Sequence, residues 1–286
     1  MRLYFSMGHT FDLDCFEGLN DPNGTNILAS QIYFKDSYRE IVKKHTTNTH
    51  FILDSGAFTV WKTGGQVDFK KYIKRANELN DYFEGKLIAV NLDIIPGMFG
   101  QHPSKENVED SCQRGFENYL YFKSQFSGKI MPVFHQHDNI KWLHKYLEYE
   151  PYLLGISPAN DLSTQKRIPF LDQCFKHTQD RQRCHGLAVV SQTLLERYPW
   201  YSTDAATFTA MAGMGQFYTF KKNKMIVSGY RDKKGILKTG SFISTLFDTD
   251  GLYKHQNRRM HNFVEFKKLE KYINSLWAHR GIIWED

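Results

Sequence analysis

The chain has 286 residues, 41% hydrophobic and 24% charged, with a net charge of +6 and a sequence pI near 8.9. Those values exclude a disordered or fibrous chain and suit a soluble domain with a sizeable core. No run of roughly 18 apolar residues occurs, so no membrane association is expected. Aromatic content is high, at 15% (22 Phe, 16 Tyr, 5 Trp). Rings that stack on bases and cations that meet phosphate would suit a nucleic-acid partner, although composition alone also allows a mildly basic protein with no such role.

In chain order, MRLYFSMGHTFDLD enters a strand-like segment at once, with an early His and two acids, unlike a signal peptide. Eight strand-like runs are expected at 2–8, 26–34, 51–58, 87–94, 129–136, 152–157, 184–191 and 200–208. Most are near-continuous apolar runs, the pattern of strands buried on both faces. Amphipathic segments separate the later ones. In 68–83, Phe69, Tyr72, Ile73, Ala76 and Leu79 fall at helical spacing. Strand then helix, repeated, predicts parallel βα units. Eight strands predict a closed (β/α)8 barrel of the TIM type, which commonly takes about 250 residues.

After the eighth run the pattern changes. Residues 211–240 read as a basic β-hairpin excursion carrying Lys221, Lys222, Lys224, Arg231, Lys233 and Lys234, either a nucleic-acid contact or simply a solvated loop. Residues 255–281 carry Phe263, Phe266, Leu269, Tyr272, Ile273 and Leu276, the stripe of a terminal amphipathic helix packed on the barrel's outside. No linker or repeat divides the chain, so 1–286 reads as one domain. The cysteines Cys15, Cys112, Cys174 and Cys184 are not in pairs, as expected of reduced thiols in a cytoplasm, or a host's cytoplasm for a viral chain. The group Cys174, His177, Cys184 and His185 is too irregular to predict a zinc site.

Three aspartates end strand-like runs: Asp54 in FILDSGAF, Asp93 in LIAVNLDI and Asp204 in WYSTDAATF. Singly, each could cap a turn. At the carboxyl ends of parallel barrel strands they would converge on one cleft. Two carboxylates flanking an anomeric carbon can carry out double displacement at a glycosidic bond. A third could accept the amino and ring N–H groups of a guanine-like base. The small residues Ser55, Gly56 and Ala57 after Asp54 would let a planar ligand approach backbone amides.

These segments resemble, in order, those of the tRNA-guanine transglycosylases. LDSGAF is similar to that family's TDSGGFQ, VNLDIIP to FDECTP, and MPVFHQHD to its VQGG strand. YLLGISPAND falls where the family has GGLAVGE, HGLAVVS where it has MGVG, and YSTDAATF where it has FDCVLPTR; MHNFVEFKKLEKYI is similar to its final helix. The resemblance implies Asp204 as nucleophile, Asp54 as general acid/base and Asp93 as a base-recognition carboxylate. It implies base contacts from Gly155 and either Gln136 or His135, beside those that the small residues Ser55 and Gly56 would allow. The family's C-x-C-x-x-C zinc group is missing, leaving only His261, so no metal and no cofactor is expected. GGFQ has become GAFT, and the Arg of the last motif is absent.

A divergent bacterial and phage group that exchanges guanine in DNA for a 7-deazaguanine derivative is similar in keeping the aspartates without the zinc group, and ERYPWYSTDA fits it. The resemblance implies DNA ahead of tRNA as partner, together with a free 7-deazaguanine base. It leaves room for a helicase-like or specificity partner and for a homodimer. Two other readings compete: a metal-dependent barrel hydrolase built on His135 and His137, and a non-catalytic nucleic-acid-binding barrel. For the first, the paired histidines follow the wrong strand. For the second, a binder has no use for both Asp54 and Asp204.

Overall fold

The computed structural model describes residues 1–7, 24–46, 49–97, 103–229 and 255–284. Nine parallel strands form one sheet: β1 (Arg2–Met7), β2 (Ile27–Ser30), β3 (Phe51–Asp54), β4 (Leu87–Val90), β5 (Lys129–Met131), β6 (Val133–His135), β7 (Leu154–Ser157), β8 (Cys184–Gly186) and β9 (Ser202–Ala205). The spatial order runs β5-β4-β3-β2-β1-β9-β8-β7-β6. Its two outermost members are adjacent in sequence, separated by Pro132 alone. Proline has no N–H to give a ladder, so one strand direction is recorded as two pieces. Pro132 still accepts a hydrogen bond from Gly155 N–H at 2.8 Å, and the barrel closes across it.

The expected α/β barrel of TIM type is therefore the observed architecture. Its helices are α1 (Arg39–His45), α2 (Ala57–Thr63), α3 (Phe69–Tyr82), α4 (Lys105–Gln125), α5 (Ile140–Leu147), α6 (Thr164–Thr178), α7 (Gln192–Arg197) and α8 (Thr207–Gly213). Short polar side chains start three of them: Asp68, Ser104 and Asn139 accept from the N–H groups of Lys71, Asn107 and Lys141.

Two apolar layers result from the alternation of side chains along each strand. Inside the barrel lie Tyr4, Leu28, Ile52, Ile88, Val90, Met131, Val133, Leu153 and Tyr201. Between barrel and helices lies a larger cluster that includes Phe5, Phe51, Leu53, Tyr72, Leu79, Phe122, Trp142, Leu154, Trp200 and Phe208. Tyr72 ties two strand ends together from outside, its buried hydroxyl lying 3.0 Å from Leu53 O and 2.7 Å from Val90 O.

The hairpin differs in extent from the expected 211–240. Residues Thr207–Gly213 form α8, because the strand stops at Ala205 and the following TFTAMAG has helical propensity. The hairpin proper pairs β10 (Gln216–Lys221) with β11 (Lys224–Gly229) in antiparallel register. Lys222 and Asn223 form its two-residue turn with φ of 50° and 57°, the left-handed pair such turns require. Lys221, Lys222 and Lys224 are exposed at its tip. Arg231, Lys233 and Lys234 lie outside the described residues.

The terminal helix α9 (His255–His279) packs on β1, α7, α8 and the hairpin. Phe263 stacks on Phe5 with ring centroids 3.9 Å apart and meets Phe208 edge-on. Glu270 accepts from Leu3 N–H at 2.7 Å. Because Phe263 is 1% exposed in this layer, Phe263→Ala should cost about 3–5 kcal/mol in denaturant unfolding. A loss under about 1 kcal/mol would mean that α9 is an appendage rather than part of the core.

Candidate active site

The carboxyl ends of the strands carry a ring of polar side chains: Ser6, Ser30, Asp54, His135, Ser157 and Asp204, joined by Asp93 three residues beyond β4. Strand register places them there. Tyr4 on β1 pairs with Asp204 on β9, and Ser30 on β2 with Asp54 on β3. The ring sits on the apolar plug inside the barrel, so ionised groups at its base meet little water.

Asp204 is 8% exposed and held through both oxygens. Oδ2 accepts from Ser6 Oγ at 2.7 Å and Oδ1 from Ala188 N–H at 2.7 Å. Ala188 adopts φ of 54° to present that amide, a conformation a non-glycine residue keeps only when its surroundings hold it. His185 Nε2 lies 3.4 Å from the same Oδ1.

Asp54 ends β3, and its Oδ2 accepts from Gly56 N–H at 3.0 Å. Burial, then the negative charges of Asp93 and Asp204, push its carboxyl up to about 6 from an ordinary 3.8, against the lowering effect of the Gly56 and Ser30 hydrogen bonds. The charges of Asp93 and Asp204 thus reach Asp54. Of the three, Asp54 is the one poised to exchange a proton near neutrality.

Asp93 is paired with His135, Oδ2 to Nε2 at 2.9 Å. On the ring's other side Asp138 Oδ2 lies 3.3 Å from Nδ1 and accepts the His135 backbone N–H at 2.8 Å. Burial alone would lower the histidine's pKa, but the hydrogen bonds and charges of Asp138 and Asp93 outweigh it and push it up to about 10. Burial also opposes ionisation of Asp138, yet His135 holds that carboxyl below its ordinary value. His135 is therefore an imidazolium clamped between two carboxylates.

The remaining sequence-predicted residues are placed less directly. Ser55 is fully buried, its hydroxyl accepting from Ala57 N–H at 3.3 Å. Gly56 has φ of 78°, and a Cβ there would come within 2.5 Å of Ile32 Cδ1. The glycine serves the turn and the Ile32 side chain fills its open side, so these small residues shape the strand-to-helix turn before any ligand arrives. Gln136 spends its amide on the next loop, accepting from Ala159 N–H at 2.9 Å and lying 3.3 Å from Lys166 O. Gly155 donates its N–H to Pro132 O, and a Cβ on it would crowd that oxygen at 3.1 Å. Both residues support neighbouring backbone.

The irregular Cys/His group is split by the fold. His177 lies against His144 on the exposed helix layer at 3.0 Å, whereas His185 lies inside the barrel. Burial raises the pKa of both Cys174 and Cys184, the latter to about 12. His261 is buried with Nε2 2.6 Å from Tyr218 O. Among the described residues no group of three or more His, Cys, Asp or Glu side chains could hold a metal ion. The part of ERYPWYSTDA that precedes Asp204 is a packing segment: Tyr198 bonds Asp172 and stacks on Phe175, and Trp200 donates to Leu194 O.

Ser6, Ser30, Asp138 and Ala188, not singled out from sequence, complete the site together with His185, which the sequence offered only in the irregular Cys/His group. A cleft of about 510 Å³ is lined by Ala188, whose N–H bonds Asp204, by Arg167 and Gln192, and by Met225 and Val227 of the hairpin. The site and fold define a (β/α)8 barrel with a carboxylate-rich mouth. No protein-family model matches the chain, and no curated protein matches it. Among solved structures, one described as "Native KDPGal structure" is similar over 95% of this chain and 97% of its own, at 8% identity and a TM-score of 0.46. That degree of likeness carries no functional argument.

The raised Asp54 carboxyl has a measurable consequence. Its folded pKa exceeds its unfolded value, so its protonated form favours folding and stability falls as pH rises from about 3.8 to about 6. Carboxyl carbon NMR should show a midpoint near 6 that falls in Asp204→Asn. A midpoint that ignores residue 204 would mean the two side chains do not share a site.

Proposed function

We propose that this protein exchanges guanine in a nucleic acid, DNA ahead of tRNA, for a free 7-deazaguanine derivative, through a covalent glycosyl ester on aspartate. The observation that carries the reading is the unequal state of the three carboxylates at one barrel mouth. Asp204 is fixed by hydrogen bonds to both oxygens, Asp54 is protonatable near neutrality, and Asp93 is locked against an imidazolium. Double displacement needs that division between a nucleophile, an acid/base and an anionic recognition group.

In this reading the target base leaves its stack to reach the mouth. Asp204 attacks the anomeric carbon, and guanine departs with the proton held by Asp54. Asp93, whose Oδ2 faces His135, offers its other oxygen to an N–H donor of either base, and a purine lacking that donor would leave this oxygen without the contact. The incoming base returns its proton to Asp54 as it displaces Asp204. One glycosidic bond replaces another, so the exchange needs no redox cofactor.

The exposed Lys221, Lys222 and Lys224 stand on the hairpin whose β11 lines the cleft beside Ala188, which supports a sugar-phosphate path leading to Asp204. DNA is favoured by the resemblance of ERYPWYSTDA to the DNA-modifying group and by the missing zinc spacing.

Exchange of labelled guanine into DNA and tRNA tests the reading. Asp204→Asn should abolish incorporation while leaving nucleic-acid affinity intact; retained incorporation would remove the nucleophile assignment. Replacing Lys221, Lys222 and Lys224 by Ala should lower the slope of log affinity against log salt by about 2–3. An unchanged slope would place the backbone path elsewhere.

A further inference from the structure

Beneath Asp204, inside the barrel, lies an imidazole that the exchange scheme leaves unused. His185 on β8 is 0% exposed, and its ring meets Tyr4 edge-on with centroids 5.8 Å apart. Nδ1 lies 2.8 Å from Ser202 Oγ, while Nε2 has no hydrogen-bond partner among the described residues and sits 3.4 Å from Asp204 Oδ1. A buried polar atom without a partner costs free energy, so this placement calls for a reason.

The tautomer follows from the neighbours. If Nδ1–H donated to Ser202, Nε2 would turn a lone pair on a carboxylate. If Ser202 Oγ–H donates to Nδ1, Nε2 carries the hydrogen and faces Oδ1 with the favourable sign. In the second arrangement Oδ1 accepts from Ala188 N–H at 2.7 Å and has His185 Nε2 3.4 Å away, not hydrogen-bonded but with its hydrogen of favourable sign, whereas Oδ2, among the described residues, accepts from the Ser6 hydroxyl at 2.7 Å. A hydroxyl rotates away readily; a backbone amide and a wedged ring do not.

We infer that His185 is a positioning residue for Asp204: from inside the barrel it holds Oδ1, with Ala188, so that Oδ2 is the atom that attacks. The inference rests on the exchange reading above and deepens it. In the first half-reaction an Oδ2 electron pair forms the bond to the anomeric carbon. The carbon–nitrogen bond breaks onto the leaving guanine, which takes the proton of Asp54, and Asp204 becomes a neutral ester. In the second, the incoming base gives its proton to Asp54 and bonds to the anomeric carbon. The Oδ2–carbon bond breaks as that bond forms, and its pair returns to Asp204 as carboxylate charge shared with Oδ1. Donors on Oδ1 stabilise that returning charge, so losing one slows ester breakdown more than ester formation.

The test is steady-state base exchange on DNA and tRNA with acid quenching and peptide mass spectrometry of Asp204, run on the full chain. His185→Phe should lower kcat about 10- to 100-fold with little change in KM for the nucleic acid. It should also raise the fraction of Asp204 trapped as glycosyl ester. His185→Gln, which restores an N–H donor, should recover much of the rate. Ser202→Ala, which frees the ring to change tautomer, should fall between and carries the test if His185→Phe fails to fold. Wild-type rates and trapped fractions in the variants would overturn the inference. So would a loss of rate with a smaller trapped fraction and no rescue by Gln, the pattern of a merely structural residue. A wild-type protein that exchanges base normally while these variants match it sinks only the role of His185. A wild-type protein that exchanges nothing and traps no ester sinks the exchange reading as well.

Discussion

Unequal compensation of three negative charges in one water-poor mouth is the constraint on which the rest of the structure turns. A closed parallel barrel sends the carboxyl ends of all its strands to one rim, and here that rim stands on an apolar plug that includes Leu28, Ile52, Ile88, Val90 and Met131. Three equivalent carboxylates there would repel one another. Instead Asp93 faces the His135 imidazolium and Asp204 takes donors on both oxygens. Among the described residues a backbone amide and a hydroxyl oppose burial and the neighbours' charges at Asp54, and its carboxyl still rises. Difference in environment, not in residue type, divides the labour.

The rest of the fold keeps that difference fixed. Tyr72 pins the ends of β3 and β4 from outside, next to Asp54 and upstream of Asp93. Gly56 lets the chain turn so that its own N–H reaches Asp54. The Gln136 amide and the β7–α6 loop hold each other, steadying the strand end that carries His135. On the far side, α9 seals β1 through Phe263 and Phe5, and β1 supplies Ser6 to Asp204. Stability of the outer layer and geometry of the mouth are therefore one problem.

Much of this was legible in the sequence, for a physical reason. Strands buried on both faces must be nearly continuous in apolar residues, so runs such as FILD and LIAV announce themselves, and a polar residue ending such a run marks the rim. Asp54 and Asp204 were found that way. The spacing of Phe263, Phe266, Leu269 and Ile273 located α9, and Lys222-Asn223 sits at the hairpin turn within the expected basic excursion. What stayed hidden is what depends on neighbours across strands. Asp138 and His135 are close in sequence, but their meeting with Asp93 is set by the sheet. Ser6 and Asp204 lie 198 residues apart, and His185 acquires its place only when β8 pairs with β9. Ser55 and Gly56 suggested ligand contacts because small residues beside an aspartate permit them; that they also shape the turn, against Ile32, shows only in the fold.

Nucleoside mass spectrometry on DNA and tRNA from cells expressing this chain, beside cells expressing Asp204→Asn, tests the central claim most directly. The account predicts a 7-deazaguanine deoxynucleoside in DNA that disappears with the substitution. Unmodified guanine in both nucleic acids, or a modified nucleoside that persists with asparagine at position 204, would contradict it.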